Sequence, residues 1–147
     1  MKVLVDTSAL LRYIDADDAQ HSSVFNTVDK LFRDGAEVGV TPQVLRELWS
    51  VSTRPAAVNG LGVAPLVLND LITDLLKTFE LWNDLPEIVS RWRQLAVTLN
   101  VKGAQAHDTN LAAAALVHGA THVLTLNGKD FERFRPYGLE PIGPDAS

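Results

Sequence analysis

Three acidic side chains stand where apolar residues are expected, and their spacing points to chemistry. Asp6 ends the apolar run Lys2-Val3-Leu4-Val5. Glu47 lies inside the stripe Val44, Glu47, Leu48, Val51, and Asp108 heads the stripe Asp108, Leu111, Ala112, Ala115, Leu116. Helix residues three and four apart share a face, so Glu47 and Asp108 point inward with their neighbours. Stripping water from a carboxylate is costly without a partner. Converging carboxylates repel one another unless they are protonated or bound to a cation. Together with Asn127 and Asp130 the donors are all oxygen, which suits Mg²⁺ or Mn²⁺. Such an ion polarises phosphoryl oxygens, so the implied substrate is a phosphate ester, and Arg12, Arg46, Arg54, Lys102, Lys129, Arg133 and Arg135 offer a basic rim for it.

Each of these residues also has a purely structural explanation. Asp6 can bond backbone amides at a strand–helix turn. Asp108 falls in the first turn of its helix, where a carboxylate complements the positive dipole end. Glu47 is harder to explain this way, because a carboxylate in the middle of an apolar stripe needs a buried cationic partner. His107 is adjacent to Asp108, and neighbours on a helix diverge by about 100°, so a surface or capping role fits it better than a shared one. His21, His118 and His122 form no metal spacing. Trp49, Trp82 and Trp92 read as core or interface residues rather than base-stacking platforms.

The elements that must position the acids follow from periodicity. Residues 2–6 read as a buried strand, and Ser8 is placed to cap a helix carrying Leu10, Leu11 and Ile14. A helix from His21 to Arg33 presents Val24, Val28, Leu31 and Phe32 on one face and stops at Gly35. A short strand follows over 37–40. Thr41-Pro42 then supplies a cap and a first-turn proline for the helix that carries Glu47. Residues 55–62, rich in Gly and Ala, form a loop expected to be the most mobile region. Leu68, Leu71, Ile72, Leu75 and Leu76 mark another helix, and 79–82 alternates as a strand. Asp84-x-x-Glu87 resembles a capping box ahead of a helix with Ile88, Trp92, Leu95, Ala96 and Leu99 inward. The Asp108 helix runs from about Ala106 to His118 and closes at Gly119. A strand over 122–126, one helical turn over 130–134 and a last strand over 140–142 complete the chain. Strands alternating with helices imply a single α/β domain over 1–147. It should have three layers, a central parallel sheet of four to five strands flanked by helices, and a short tail at about 143–147. Ligands bind such sheets at the carboxyl ends of the strands, where Asp6 and Asn127 fall.

Composition sets the outer limits. The chain has 147 residues, of which 46% are hydrophobic and 21% charged, a balance that suits a globular domain with a proper core. The formal charge of −5 gives no general basic field for coating nucleic acid. There is no cysteine, which excludes disulfides, thiolate zinc sites and thiol nucleophiles. The first strand begins at Lys2 with no signal-like segment ahead of it, and the apolar run Leu111 to Val117 is too short to span a bilayer. The expected location is cytoplasmic, with no membrane association.

The stretches MKVLVDTSALLRYI, PQVLRELWSV and AHDTNLAAAALVHGATHVLTLNGKDFERF resemble the PIN-domain family, and within it the VapC-type toxins of bacterial toxin–antitoxin pairs. The resemblance covers nearly the whole chain in order. It implies a metal-dependent endoribonuclease of the PIN fold that cleaves RNA with Mg²⁺ or Mn²⁺, is inhibited by a cognate antitoxin and forms a homodimer. By position, Asp6, Glu47 and Asp108 match the family's acidic triad, and Ser8 matches the hydroxyl after the first acid. The fourth position departs. The family often carries an acid two residues after the threonine that ends the fourth strand; here that residue is the neutral Asn127, and Asp130 lies three further on.

Two rival functions fit the same residues. One is a catalytically weak PIN domain acting as an interaction module, which the missing fourth acid permits. The other is an acid-site phosphotransfer domain. An aspartyl phosphatase would carry a second Asp at position 8, which is Ser8. A receiver-like switch would carry an acceptor Asp ending the third strand, where Trp82-Asn83-Asp84 matches poorly.

Overall fold

The computed structural model describes residues 1–144, so the end of the expected tail, 145–147, lies outside the described residues. Five strands form one parallel sheet: β1 (Lys2–Val5), β2 (Glu37–Val40), β3 (Glu80–Leu81), β4 (His122–Leu124) and β5 (Glu140–Ile142). Their order across the sheet is β3-β2-β1-β4-β5. The register sets Val3 beside Val38 on one side of β1, and Val5 beside Leu124 on the other. Val3, Leu4 and Val5 are wholly buried, as a strand covered on both faces requires. The helices are α1 (Thr7–Ile14), α2 (His21–Arg33), α3 (Pro42–Thr53), α4 (Pro65–Thr78), α5 (Pro86–Thr98) and α6 (Gln105–Val117), giving the expected three-layer α/β architecture.

From β1 the chain moves outward through β2 and β3, then returns to place β4 and β5 on the opposite side of β1. The order therefore reverses between β1 and β4. Connections leave these two neighbours in opposite directions, which opens a crevice at their carboxyl ends. The main core lies around the sheet, with Leu10, Leu48, Leu111, Phe131 and Phe134 among its members. A smaller cluster of Ile88, Leu95, Ala113 and Ala114 joins α5 to α6.

Several local expectations are corrected. β1 stops at Val5, and Asp6 rather than Ser8 caps α1, its side chain accepting from the Thr7 amide. The Asp84–Glu87 capping box does not form. Pro86 takes the first helical position, so Leu85 is the cap and no side chain bonds there. The strand expected over 79–82 shortens to Glu80–Leu81, and that over 122–126 to His122–Leu124. The single turn expected at 130–134 is a longer run of 3₁₀ turns over Gly128–Tyr137. Phe32 is partly exposed, although its ring still meets Phe79.

The loop after α3 folds back on the end of that helix. The amides of Leu61, Gly62 and Val63 donate to the carbonyls of Val51, Arg54 and Ser52, and the Gly60 amide to that of Pro55. A β-carbon at Gly60 would stand 1.9 Å from the Arg54 carbonyl oxygen, so only glycine permits this close return. Gly39 does similar work in β2. Its missing side chain leaves room for the Trp82 ring, which would lie 2.2 Å from a β-carbon there.

Candidate active site

Asp6 leaves β1 at the crevice and is almost fully enclosed. Its Oδ1 accepts from the Thr7 amide at 2.8 Å, while its Oδ2 accepts from Ser8 Oγ at 3.0 Å and Thr125 Oγ1 at 2.8 Å. Thr125 follows β4 directly, and its Oγ1 also accepts from the Asn127 amide at 3.0 Å. Ser8 Oγ accepts from the Leu126 amide at 3.0 Å. The ends of β1 and β4 are thus sewn together around one carboxylate. Burial pushes the Asp6 carboxyl above its ordinary range, the Thr125, Ser8 and Thr7 donors pull it down, and the charge of Asp130 pushes it up again.

Glu47 lies in the second turn of α3, whose start is fixed as the sequence predicts: the Val44 amide donates to the Thr41 hydroxyl, with Pro42 in the first turn. Glu47 is half-buried, and its pKa is raised by desolvation and by the charge of Asp6, with Gln43 and His107 partly opposing. Asp108 sits in the first turn of α6, also half-buried. Desolvation, then Asp130, Asp6 and Glu47, carry its pKa from an ordinary 3.8 to about 6, with His107 opposing.

These four acids therefore share one electrostatic neighbourhood. Among the described residues, none forms an ion pair with a Lys or Arg. The buried cation that would make Glu47 merely structural is thus missing among them. The structural explanation of Asp6 is partly right, since it does cap α1, but capping occupies only one of its oxygens.

Among the described residues, no three acidic or imidazole side chains stand close enough to hold a metal ion as they are. Like charges drive such carboxylates apart, and a cation between them reverses that preference. The donor chemistry fits a hard divalent ion: carboxylates only, mutually repelling, and none in an ion pair among the described residues. Asp6, Glu47 and Asp108 are the residues that would hold it. Asp130 is exposed at the start of the 3₁₀ run and couples to Asp6 and Asp108 through charge. Asn127 is also exposed, and its side chain makes no hydrogen bond at the turn it begins.

Three contributors escaped the sequence reading. Thr125 was visible only as the end of a strand. Gln43 and Asn110 join α3 to α6 through Asn110 Nδ2, which donates to Gln43 Oε1 at 2.7 Å, and Gln43 Nε2, which donates to the His107 carbonyl at 2.9 Å. Gln43 lies one turn before Glu47 and Asn110 two residues after Asp108, so a search for polar residues flanking each acid would have found both. Of the basic rim, Arg12 is engaged by Asp18 and Arg135 by Glu132, whereas Lys129 and Arg133 border a cleft with Asp108 and Asp130.

Comparison with known proteins gives this geometry a context. None of the curated proteins matches the chain. Among solved structures it is similar to VapBC2 from Rickettsia felis bound to a DNA fragment from its promoter, with a TM-score of 0.72 and 17% identity over 99% of this chain and 100% of that one. It is similar to VapBC-1 from nontypeable Haemophilus influenzae, with a TM-score of 0.70 and 16% identity over 97% and 98% of the two chains. It also resembles VapC20 from Mycobacterium tuberculosis, described as a sarcin–ricin-loop-cleaving toxin, with a TM-score of 0.62 and 16% identity over 87% and 92%. At such identities the likeness shows a shared fold. The PIN domain family model matches residues 3–135, and the chain belongs to the PIN domain family.

Proposed function

We propose that this chain is a metal-dependent endoribonuclease, the toxin of a toxin–antitoxin pair, acting through Asp6, Glu47 and Asp108 with Asp130 in an outer role. One observation carries the reading: Asp6, Glu47 and Asp108 each have a raised pKa, partly through one another's charge and that of Asp130, and none of the four has an ion-pair partner among the described residues. A bound Mg²⁺ or Mn²⁺ supplies charge neutralisation and Lewis-acid polarisation of a phosphoryl oxygen. The chain's own part is positioning. Thr125, Ser8 and the Thr7 amide fix Asp6 in one orientation, so little is lost in ordering it when substrate arrives. The Gln43–Asn110 link sets the spacing of the helices that bear Glu47 and Asp108. Ser8 supports Asp6 and the β4 end rather than facing substrate, which also argues against a phosphatase acid at that position.

Resemblance to VapC-type toxins, together with the fold shared with a toxin that cleaves the sarcin–ricin loop, supports RNA as substrate. An antitoxin partner fits a surface of three pockets with shared lining residues, one at Val51, a turn beyond Glu47, one at Ile14, Leu61, Val63 and Leu71, and one at Tyr13 and Leu75. Asp15, Asp17 and Asp74 border it, so an amphipathic segment with basic flanks complements it. A homodimer belongs to the same reading, and Val89 and Val97, exposed on α5, suit a covered face. The test is cleavage of single-stranded and hairpin RNA with Mg²⁺ or Mn²⁺, in chelator, and with the Asp6→Asn variant. Metal-dependent cutting lost in both controls supports the reading. Metal that neither binds nor activates would leave an interaction module, for which the neutral Asn127 already speaks.

A further inference from the structure

One cleft of about 240 Å³ opens beside the acids, between the first turn of α6 and the 3₁₀ run, and it is bordered by Gln105, Asp108, Lys129, Asp130, Arg133 and Phe134. Its two cations stand beside the acids without an ion-pair partner among the described residues. Lys129 is exposed, and among the described residues its ammonium has neither an ion pair nor a hydrogen bond. Arg133 is half-buried and held at two points by neutral acceptors: Nη1 donates to Gln105 Oε1 at 3.1 Å, and Nη2 to the Leu99 carbonyl at 3.3 Å. Neither contact neutralises the guanidinium, so it is fixed in place with its charge unspent. Both cations border the same cleft as Asp108 and Asp130, yet neither pairs with them among the described residues. Arg135, by contrast, is tied to Glu132, and Arg12 to Asp18.

An anion entering this cleft meets two positive charges without ion-pair partners and the N-terminal end of a 13-residue helix, set beside the carboxylates of Asp108 and Asp130. We propose that the cleft is a phosphate subsite, in which Lys129 and Arg133 hold the RNA backbone at the phosphate adjoining the bond that is cut. The inference rests on the ribonuclease reading and adds to it which residues grip the substrate. Phe134 is wholly buried and offers no face for a base to stack on, so the grip is on the backbone and carries no sequence preference of its own.

Counterion release gives a direct readout. The full chain is titrated onto a fluorescent single-stranded RNA in EDTA, where cleavage is off, at several salt concentrations. Each phosphate contact contributes about 0.7 to the slope of log K against log salt for a single strand. Lys129→Ala and Arg133→Gln are each expected to reduce that slope by about 0.7. Lys129→Arg should retain it, and Lys30→Ala on α2 should leave it unchanged. In metal-activated cleavage the first two variants should raise KM several-fold with kcat little altered. Gln at position 133 keeps a donor for the Leu99 carbonyl, and an unchanged melting temperature separates lost charge from lost structure. Wild-type slope and KM in both variants, with wild-type RNA cleavage intact, would overturn the subsite and leave the ribonuclease reading standing. Reduced slopes without any cleavage would leave Lys129 and Arg133 as RNA contacts and overturn both the enzyme and a subsite beside the bond that is cut. A wild-type chain that neither binds nor cuts RNA overturns both.

Discussion

Asn110 Nδ2 donates to Gln43 Oε1 at 2.7 Å, bridging α6 and α3 across 67 residues of sequence. Gln43 then donates from its nitrogen to the His107 carbonyl, so a single amide side chain joins both helices. Glu47 lies one turn along α3 and Asp108 half a turn back on α6. The link thus controls how far apart two of the carboxylates stand. Replacing Gln43 or Asn110 with alanine is expected to cost about 1 kcal/mol of stability each and to weaken Mn²⁺ binding. The double variant should be little worse than Gln43→Ala alone, because that change already removes the bond to Asn110 together with the one to the His107 carbonyl. A double-mutant cycle on melting temperature and on Mn²⁺ affinity checks this; full additivity would mean that the two residues act separately.

Thr125 orients Asp6 as the Gln43–Asn110 link spaces the two helices. Thr125→Val removes the 2.8 Å donor to Asp6 and the acceptor for the Asn127 amide while keeping the side chain's volume. Losing a hydrogen bond to the charged form raises the Asp6 pKa further and frees its orientation. Cleavage should fall by about 10–100-fold, the usual effect of losing a partner that orients a ligand. Thr125→Ser should recover most of it. A fully active valine variant would reduce Thr125 to strand packing.

The acids themselves should behave as a strained group. Asp108 has its folded pKa raised from 3.8 to about 6, and Asp6 and Glu47 are raised as well. A carboxyl with a raised folded pKa binds its proton more tightly in the native state. The stability it contributes is full below the unfolded pKa and is lost as pH rises through the folded one. The metal-free protein should therefore lose stability from Asp108 between about pH 4 and pH 6, and Asp6 and Glu47 should add to the fall in the same direction. Asp108→Asn should flatten that fall, raise the melting temperature at pH 7 by a few degrees and abolish cleavage. Melting curves in EDTA from pH 4 to 8 decide it. A variant that is less stable than wild type at every pH would make Asp108 a structural residue.

How much of this was legible in the sequence depends on how local each feature is. Glu47 and Asp108 could be placed because helical spacing within one turn states which way a side chain faces. The Thr41-Pro42 start of α3 was likewise written in two adjacent residues. The Asp-Thr-Ser at the end of β1 was legible as a turn, but which residue caps α1 depends on where the strand stops, and that is set by pairing with β4. The Thr125–Asp6 bond and the Gln43–Asn110 link depend on sheet order and helix docking between residues 119 and 67 positions apart, and no local pattern encodes such pairings. The Asp84–Glu87 box failed for a local reason: Pro86, best suited to the first helical position, leaves Glu87 too early in the helix to reach back.

Divalent metal should stabilise the folded chain, because only the folded state gathers these carboxylates. At a concentration 100 times the dissociation constant the gain is about 2.7 kcal/mol. Mg²⁺ and Mn²⁺ should raise the melting temperature in a concentration-dependent way, Asp6→Asn should blunt the rise, and EDTA should reverse it. Cleavage that persists in chelator would point to metal-independent chemistry or a contaminant.

Asn127 and Asp130 divide the fourth position between them, and their surroundings predict which one matters. Asn127 has its backbone amide fixed by Thr125, but its exposed side chain is neutral and makes no capping hydrogen bond among the described residues. Asp130 is charged and raises the pKa of both Asp6 and Asp108, so its field reaches the site. Asp130→Ala should therefore lower cleavage by an intermediate factor, less than loss of Asp6, and high Mn²⁺ should recover part of it. The same variant should lower the Asp108 pKa, since a repelling charge is gone. Asn127→Asp should tighten metal binding by adding a carboxylate at the end of β4, and in the metal-free state it should cost stability through added repulsion. Cleavage assays paired with an NMR titration of the Asp108 carboxyl separate the two residues. If Asp130→Ala leaves both the rate and the titration unchanged while Asn127→Ala is inactive, the fourth role belongs to Asn127, and Asp130 serves only the start of the 3₁₀ run.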